Sequence, residues 1–245
     1  QVMEQPSSFQ AHLAAGLSAA LKPLGIPLIA QLWGENPDRT PSTLLTLLDH
    51  LNPRALVLNP LTRGNEQVAV DEILASRPDL PLIHLCGRGR GASFRGDNAL
   101  GMRLVAEHLV HGCTVRNILV VRGNLDHVDS QEREAAVLAE LARLGHPIDP
   151  ARVVNGGYER DIAQRVTRSA LERDPDIDAV VAFNDRSALG AMDAVISMGR
   201  RIPEDVVVTG FDDEDFAAFC QPSLTTVSQN LFQIGYTAGT VLPRI

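Results

Sequence analysis

Side chains with useful binding chemistry follow several apolar runs that are typical of buried strands. Asp212 comes directly after the run Asp205–Phe211. Asn184 ends another such run, and Tyr158 comes shortly after a third. In open α/β sheets, ligands bind beyond the carboxyl ends of the strands. A carboxylate accepts two hydroxyl hydrogen bonds, an amide donates and accepts, and an aromatic ring covers an apolar sugar face. The pattern favours a site for a hydroxyl-rich small molecule.

Helix capping is the alternative explanation for Asp212 and for the acidic residues near it. Asp213, Glu214 and Asp215 are expected to cap the next helix and to favour its N-terminal dipole. Asp185 is a predicted N-cap, as are Asp97 and Asp129 at two other helix starts. For Asp212 both interpretations stay open.

Catalytic and metal sites have weaker support in the sequence. The G-x-S-x-G, H-E-x-x-H and Walker A patterns do not occur. His108 and His111 have a spacing that two metal ligands could use, but no cysteine or acid completes the set. The loop Gly87–Gly91 could meet a phosphate through its arginines, yet it lacks the dinucleotide spacing and is expected to be solvated. We therefore expect no enzyme activity, no metal and no cofactor.

Alternation of apolar runs with helical periodicity predicts an α/β fold with parallel sheets. Periodicity leaves open whether the strands form one sheet or two. The predicted strands are Pro27–Trp33, Ala55–Asn59, Leu80–Cys86, Asn117–Arg122, Arg152–Asn155, Ala179–Asn184 and Asp205–Phe211, after a partial strand in Gln1–Gln5. The predicted helices are Ser7–Leu24, Pro41–Leu51, Glu66–Ala75, Asp97–His111, Asp129–Leu144, Glu159–Glu172, Asp185–Met198 and Leu231–Leu242.

Composition places the chain among ordinary globular proteins. Its 245 residues carry 22 basic and 30 acidic side chains, a formal net charge of −8. That balance argues against nucleic-acid binding by this chain alone. No apolar run approaches the roughly 20 residues of a membrane span. Three widely separated cysteines favour free thiols and a cytoplasmic location.

Three motifs in the last third of the chain resemble one family. They are N-D-x-x-A-L-G from Asn184, I-P-E-D-V-x-V-x-G-F-D-D from Ile202, and P-x-L-T-T-V-x-Q from Pro222. Together with Asp97-Asn98 upstream, they resemble the effector-binding domain of lac/galactose-repressor-type (LacI/GalR) transcriptional regulators. The resemblance implies a periplasmic-binding-protein-like fold, with two α/β/α parallel-sheet subdomains joined by three crossing segments and a ligand cleft. We expect one subdomain from 1–114 plus 230–245 and the other from 115–229.

The same resemblance implies a set of effector-binding positions. We expect Arg133 and Asp212 to face each other across a wet cleft and to hold a sugar or sugar derivative. The full set implied by motif is Ser7, Phe9, Arg133, Tyr158, Asn184, Asp212 and Gln229.

The expected function is ligand-controlled transcription regulation. DNA would be bound only through a helix-turn-helix headpiece that is absent from this chain. A homodimer is expected, with the apolar helix faces of Leu44–Leu48 and Val68–Leu74 as weak support. An exported sugar-binding protein of a transport system is the alternative, and an α/β enzyme is the third class considered.

Overall fold

The computed structural model describes residues 8–30, 50–59, 71 and 74–244. Within that part of the chain, the strands are β1 Leu56–Leu58, β2 Leu82–Leu85, β3 Ala92–Phe94, β4 Ile118–Arg122, β5 Val153–Asn155, β6 Ala179–Ala182 and β7 Val207–Thr209. The α-helices are α1 Ser8–Leu21, α2 Asn98–Glu107, α3 Val128–Arg143, α4 Arg160–Arg173, α5 Asp185–Ser197 and α6 Leu231–Val241. All strand pairs are parallel, which confirms the predicted α/β class.

The chain divides into two compact units, each with its own sheet. The first contains residues 1–96 and 230–245, and the second contains residues 97–229. The chain therefore passes to the second unit after Gly96 and returns after Gln229. Two units agree with the resemblance, which also implies a third crossing.

The predicted boundary between residues 114 and 115 differs from the boundary found. Helix α2 packs against α3, and Met102, Ala106 and Leu109 share a core cluster with Ile118 of β4. These side chains have no exposed surface, so burial ties residues 97–114 to the second sheet. The boundary therefore lies between residues 96 and 97.

In the first unit, three short strands pair in the order β1-β2-β3. Strand β3 was not predicted, because Ala92–Phe94 is three residues long and follows the glycine- and arginine-rich segment 87–91. Helices α1 and α6 pack together in this unit, and their glycines explain how closely they approach. A Cβ atom on Gly16 of α1 would lie 2.0 Å from the Phe232 carbonyl oxygen of α6. One on Gly235 would lie 2.1 Å from the Leu13 oxygen.

In the second unit, four strands pair in the order β5-β4-β6-β7. Successive residues of β4 point to opposite faces, as the period of two requires. Ile118 and Val120 pack in the cluster that contains side chains of α2 and α3. Leu119 and Val121 pack in the cluster that contains side chains of α4 and α5. Helices therefore cover both faces, and the strand tips remain for binding.

Most predicted elements are confirmed, and the exceptions have physical causes. Residues 27–30 of the predicted strand Pro27–Trp33 are not in a strand, and its remainder lies outside the described residues. Three other predicted elements also lie wholly or mostly outside the described residues. They are the partial strand Gln1–Gln5, the helix Pro41–Leu51 except its end, and most of the helix Glu66–Ala75. Asp97 caps α2 by accepting from the Leu100 amide at 2.9 Å, as predicted. Asp129 and Asp185 are not caps, because α3 begins after His127 and α5 after Asn184.

Two further features bear on the class of protein. Cys86, Cys113 and Cys220 are not joined in disulfide bonds, as expected. Among the described residues, no helix combines the length and the apolar character that a membrane crossing requires.

Candidate ligand-binding site

Four of the predicted positions in the second unit follow its strands. Tyr158 follows β5, Asn184 follows β6 and Asp212 follows β7, while Arg133 lies on α3 after β4. Because parallel strands end at the same edge of their sheet, these side chains share one edge. We call this the carboxyl edge of the second sheet.

Arg133 is the best-anchored side chain of the carboxyl edge. Its residue is 3% exposed, and its Nε donates to Asn98 Oδ1 at 2.9 Å. Its Nη1 donates to the Phe183 carbonyl oxygen. Its guanidinium carbon lies 3.8 Å from the centroid of the Phe211 ring, which is a cation–π distance. Nη2 makes none of the hydrogen bonds found among the described residues, so it can donate to a ligand.

Asp212 faces Arg133, as predicted. Asp212 Oδ1 lies 3.7 Å from Arg133 Nη1 and accepts from Gln229 Nε2 at 2.6 Å. Asp212 is 7% exposed, so the expectation of a wet, hydrated pair is wrong: the two groups are buried together. Burial raises the pKa of Asp212 to about 8, and the charge of Arg133 acts in the opposite direction. Oδ2 accepts no hydrogen bond from the described residues.

Backbone pairing places Gln229 beside Asp212. The Gly210 amide donates to the Thr225 carbonyl oxygen, and the Asp212 amide donates to that of Val227, both at 2.9 Å. Residues 225–228 therefore run along the extension of β7, and Gln229 comes just beyond the Asp212–Ser228 bridge. The carboxylate of Asp212 binds Gln229 and caps none of the described helices, which decides against the capping interpretation.

Asn184 and Tyr158 form a second, connected part of the edge. Asn184 Oδ1 accepts from the Ser187 amide at 2.9 Å and caps α5, while its Nδ2 donates to the Tyr158 carbonyl oxygen at 3.2 Å. The Tyr158 ring packs over Gly123, where a Cβ atom would lie 2.0 Å from Tyr158 Cζ. Burial raises the pKa of Tyr158 to about 12. Asn184 thus caps α5 and connects it to the segment that carries Tyr158, in addition to any contact with a ligand.

Asn98 is a site residue that was not selected from the sequence. It is 3% exposed, and its Nδ2 donates to Asp129 Oδ1 at 2.9 Å and to Glu132 Oε2 at 3.1 Å. These two carboxylates fix the amide so that its oxygen faces Arg133. In the sequence, the pair Asp97-Asn98 contributes to the family resemblance, but only Asp97 has a predicted role, as a helix cap.

Asp185 is a buried acid behind the site rather than a cap. One of its carboxylate oxygens accepts from the Glu214 amide at 2.7 Å, and the other accepts from Thr226 Oγ1. Burial raises the pKa of Asp185 to about 6. Asp185 therefore ties the loop after β7 to the start of α5.

One of the remaining candidates belongs to a helix of the first unit. Phe9 lies on α1 and packs against the core cluster of the first unit. Ser7 lies outside the described residues. His108 Nε2 lies 3.4 Å from Cys113 Sγ, and no group of three possible metal ligands occurs in the described parts of the chain.

The comparisons with known proteins agree with this fold. Residues 106–244 match the family described as Periplasmic binding protein-like domain. The chain therefore belongs to the periplasmic binding protein-like domain family.

Its relatives define the type of domain within that family. The ribose operon repressor of Halalkalibacterium halodurans is 36% identical over 151 residues, which cover 59% of this chain and 43% of the repressor. A solved structure of the transcriptional regulator CelR in complex with cellobiose is 26% identical, with a TM-score of 0.81, and the match covers 97% of this chain and 72% of CelR. A LacI family regulator from Mycobacterium smegmatis shares the fold at 24% identity, with a TM-score of 0.83 and coverage of 97% and 86%. The chain is thus an effector-binding domain of the lac/galactose-repressor type, as its motifs indicate. It spans about half or less of the length of the curated relatives it matches.

Proposed function

We propose that the carboxyl edge of the second sheet binds a hydroxyl-rich small molecule, a sugar or sugar derivative. The observation that carries the proposal is the buried group of Arg133, Asp212 and Gln229. It leaves one donor nitrogen (Arg133 Nη2) and one acceptor oxygen (Asp212 Oδ2) without hydrogen bonds to the described part of the chain. A sugar hydroxyl can donate to the carboxylate while its oxygen accepts from the guanidinium. The cellobiose complex of CelR supports this ligand class.

Phe211 and Tyr158 supply the apolar side of the same proposal. Sugar rings carry apolar C–H faces, and aromatic rings cover such faces. Phe211 is fully buried under the guanidinium, so Tyr158 is the ring that we assign to the ligand.

We further propose that the ligand controls DNA binding by a headpiece outside this chain, in a cytoplasmic homodimer. Ligand binding changes DNA affinity only if the ligand has different affinities for two conformations of the protein. The relatives are transcriptional regulators, which favours this function over an exported binding protein or an enzyme. The helix faces 44–48 and 68–74 predicted for the dimer lie almost entirely outside the described residues. Light scattering at tens of micromolar should give a dimer mass, and a monomer would contradict this part of the proposal.

Calorimetry with a panel of sugars tests the ligand site. The panel contains ribose, glucose, galactose and cellobiose, titrated into the wild-type chain, Asp212→Asn and Asp213→Asn. Asp213 is the matched control, because it is the neighbouring acid, is exposed, and has a backbone φ of 61° that asparagine tolerates. At a pH above 8, where Asp212 is a carboxylate, Asp212→Asn should weaken binding by about 2–3 kcal/mol, roughly 30- to 150-fold. Asp213→Asn should leave the Kd within about threefold.

A thermal melt beside the calorimetry separates binding from folding. If Asp212→Asn melted early and bound a sugar normally, the assignment of Asp212 to the ligand would be wrong. If no sugar on the panel bound, the proposed ligand class would be wrong.

A further inference from the structure

The carboxyl edge has far more acidic than basic side chains. Segments 122–134, 156–161, 183–186 and 210–215, which follow β4 to β7, contain eleven carboxylates and four arginines. The carboxylates belong to Asp126, Asp129, Glu132, Glu134, Glu159, Asp161, Asp185, Asp212, Asp213, Glu214 and Asp215, and the arginines are Arg122, Arg133, Arg160 and Arg186.

Three of the four arginines already have carboxylate partners. Arg122 Nη1 donates to Glu134 at 3.0 Å, and Arg160 Nε donates to Asp193 at 2.7 Å. Arg133 lies 3.7 Å from Asp212, and Arg186 is exposed. The guanidinium nearest the proposed ligand therefore already has an acidic neighbour before any ligand arrives, and that acid carries its charge above pH 8.

Two acids stand on the other side of Arg133. Asp129 and Glu132 both accept from Asn98 Nδ2, while Asn98 Oδ1 accepts from Arg133 Nε. One amide thus separates two carboxylates from the guanidinium. The charges of Asp129, Arg133 and Asp212 all act on the Tyr158 phenol, which shows that they share one neighbourhood.

We infer that this site selects uncharged or amino sugars and rejects their phosphorylated counterparts. The inference rests on the proposed sugar site and adds the charge class of its ligand. A phosphate would have to compete with Asp212 for Arg133 and would meet repulsion from Asp129 and Glu132. A neutral hydroxyl meets neither this competition nor this repulsion, and an ammonium group is attracted by the same carboxylates.

Paired ligands measure this selectivity directly. Calorimetry compares ribose with ribose 5-phosphate, and glucose with glucosamine and glucose 6-phosphate, at constant ionic strength. The parent sugar and the amino sugar should bind at least about tenfold more tightly than the phosphate. A phosphorylated sugar that bound as tightly as its parent would overturn the inference while supporting the sugar site.

Charge-neutralising variants identify the residues responsible. Asp129→Asn/Glu132→Gln keeps an acceptor oxygen at each position for Asn98 and removes two charges. In this double variant, the ratio between the Kd of the phosphorylated sugar and the Kd of its parent should fall by about tenfold. The fall should be smaller at high salt, because salt screens exposed charges. The matched control is Glu172→Gln/Asp176→Asn, which removes two exposed charges near the opposite ends of the strands. If both double variants changed the preference equally, net charge rather than the site would be responsible, and the assignment to Asp129 and Glu132 would fail.

Inorganic phosphate provides a test that needs no sugar. Titration of the wild-type chain with phosphate, followed by thermal melting against a chloride control of equal ionic strength, should show no stabilisation. Stabilisation that disappears in Arg133→Gln would place an anion at this site and refute the inference. If every sugar failed to bind, the proposed sugar site itself would be refuted, whatever the result with phosphate.

Discussion

The guanidinium of Arg133 lies over the ring of Phe211, with its central carbon 3.8 Å from the ring centroid. This contact connects α3 to the end of β7 through two side chains with almost no exposed surface. Since Phe211 immediately precedes Asp212, one strand end supplies both the ring under the guanidinium and the carboxylate beside it. The position of Arg133 is therefore determined by the same strand that supplies its ionic partner.

Replacing Phe211 with leucine should weaken ligand binding as well as folding. The lost cation–π contact is expected to weaken sugar binding by about 1–2 kcal/mol, roughly 5- to 30-fold. Phe183→Leu is the control, because Phe183 is equally buried and offers Arg133 only its carbonyl oxygen. Both variants should lose about 1–2 kcal/mol of unfolding free energy. Equal losses of affinity in the two variants, measured by calorimetry, would mean that the ring contact has no part in binding.

Stability should fall between pH 6 and pH 8 because of Asp212. Burial raises the pKa of Asp212 to about 8 in the folded chain, so its contribution is full below the unfolded pKa, near 4, and is lost as pH rises through 8. Asp185, with a pKa of about 6, contributes mainly below pH 6. Urea unfolding should show that the unfolding free energy changes less between pH 6 and pH 8 in Asp212→Asn than in the wild type. The difference between the two changes should be at least about 1 kcal/mol. Asp185→Asn should retain the wild-type slope above pH 6, and an equal flattening there would contradict the assignment to Asp212.

Sugar affinity should rise over the same interval. Asp212 accepts ligand hydroxyls best as a carboxylate, so its deprotonation between pH 6 and pH 8 favours binding. We expect the Kd to decrease by at least about threefold from pH 6 to pH 8, with a much smaller change in Asp212→Asn. Calorimetry in buffers of different ionisation enthalpy should also detect proton release on binding. A Kd that increases with pH in the wild type would disagree with this mechanism.

The second sheet could be predicted from the sequence because its strands are continuous apolar runs. In β4, alternate residues serve two different cores, so every position is apolar and the run is easily recognised. Strand β3 offers no such run, because its partly buried residues follow an exposed glycine-rich segment. The boundary at residue 96 was missed because the packing of α2 on the second sheet depends on tertiary contacts.

The site could be predicted in part for a similar reason. The carboxyl-end rule locates Asp212 and Asn184, since that rule needs only the order of strands. The roles of Asp129 and Asp185 could not be predicted, because an acid near a helix start has the same sequence pattern whether it caps the helix or binds a distant group. The hydrogen bond from Asn98 to Asp129 spans 31 positions of the chain, and local patterns do not report such contacts.

Tyr158 should ionise only at strongly alkaline pH. Its pKa of about 12 results from burial of the phenol, with the charge of Arg133 as an opposing contribution. An ultraviolet titration should show one of the two tyrosines ionising late, and Tyr158→Phe should remove the late step. Bound sugar should delay it further if the ring covers the ligand. A late step that persists in Tyr158→Phe would assign it to the other tyrosine.

Asn98→Asp should be strongly destabilising, because the new carboxylate would face those of Asp129 and Glu132. In the wild type, Asn98 Nδ2 donates to both acids, and the replacement removes both hydrogen bonds and adds repulsion. We expect a loss of about 1–3 kcal/mol of unfolding free energy.

Asp129→Asn should restore part of this loss, because the new amide can donate to the carboxylate at position 98. A double-mutant cycle by urea unfolding should therefore give a favourable coupling of about 1 kcal/mol between positions 98 and 129. Asp126→Asn is the control, since Asp126 is an exposed acid of the loop just before α3. It should show no coupling with Asn98→Asp. Additive effects for Asn98→Asp and Asp129→Asn would mean that the hydrogen bond between the two side chains does not hold the Asn98 amide in place. In that event the orientation of Arg133 would depend on Phe211, Phe183 and Asp212.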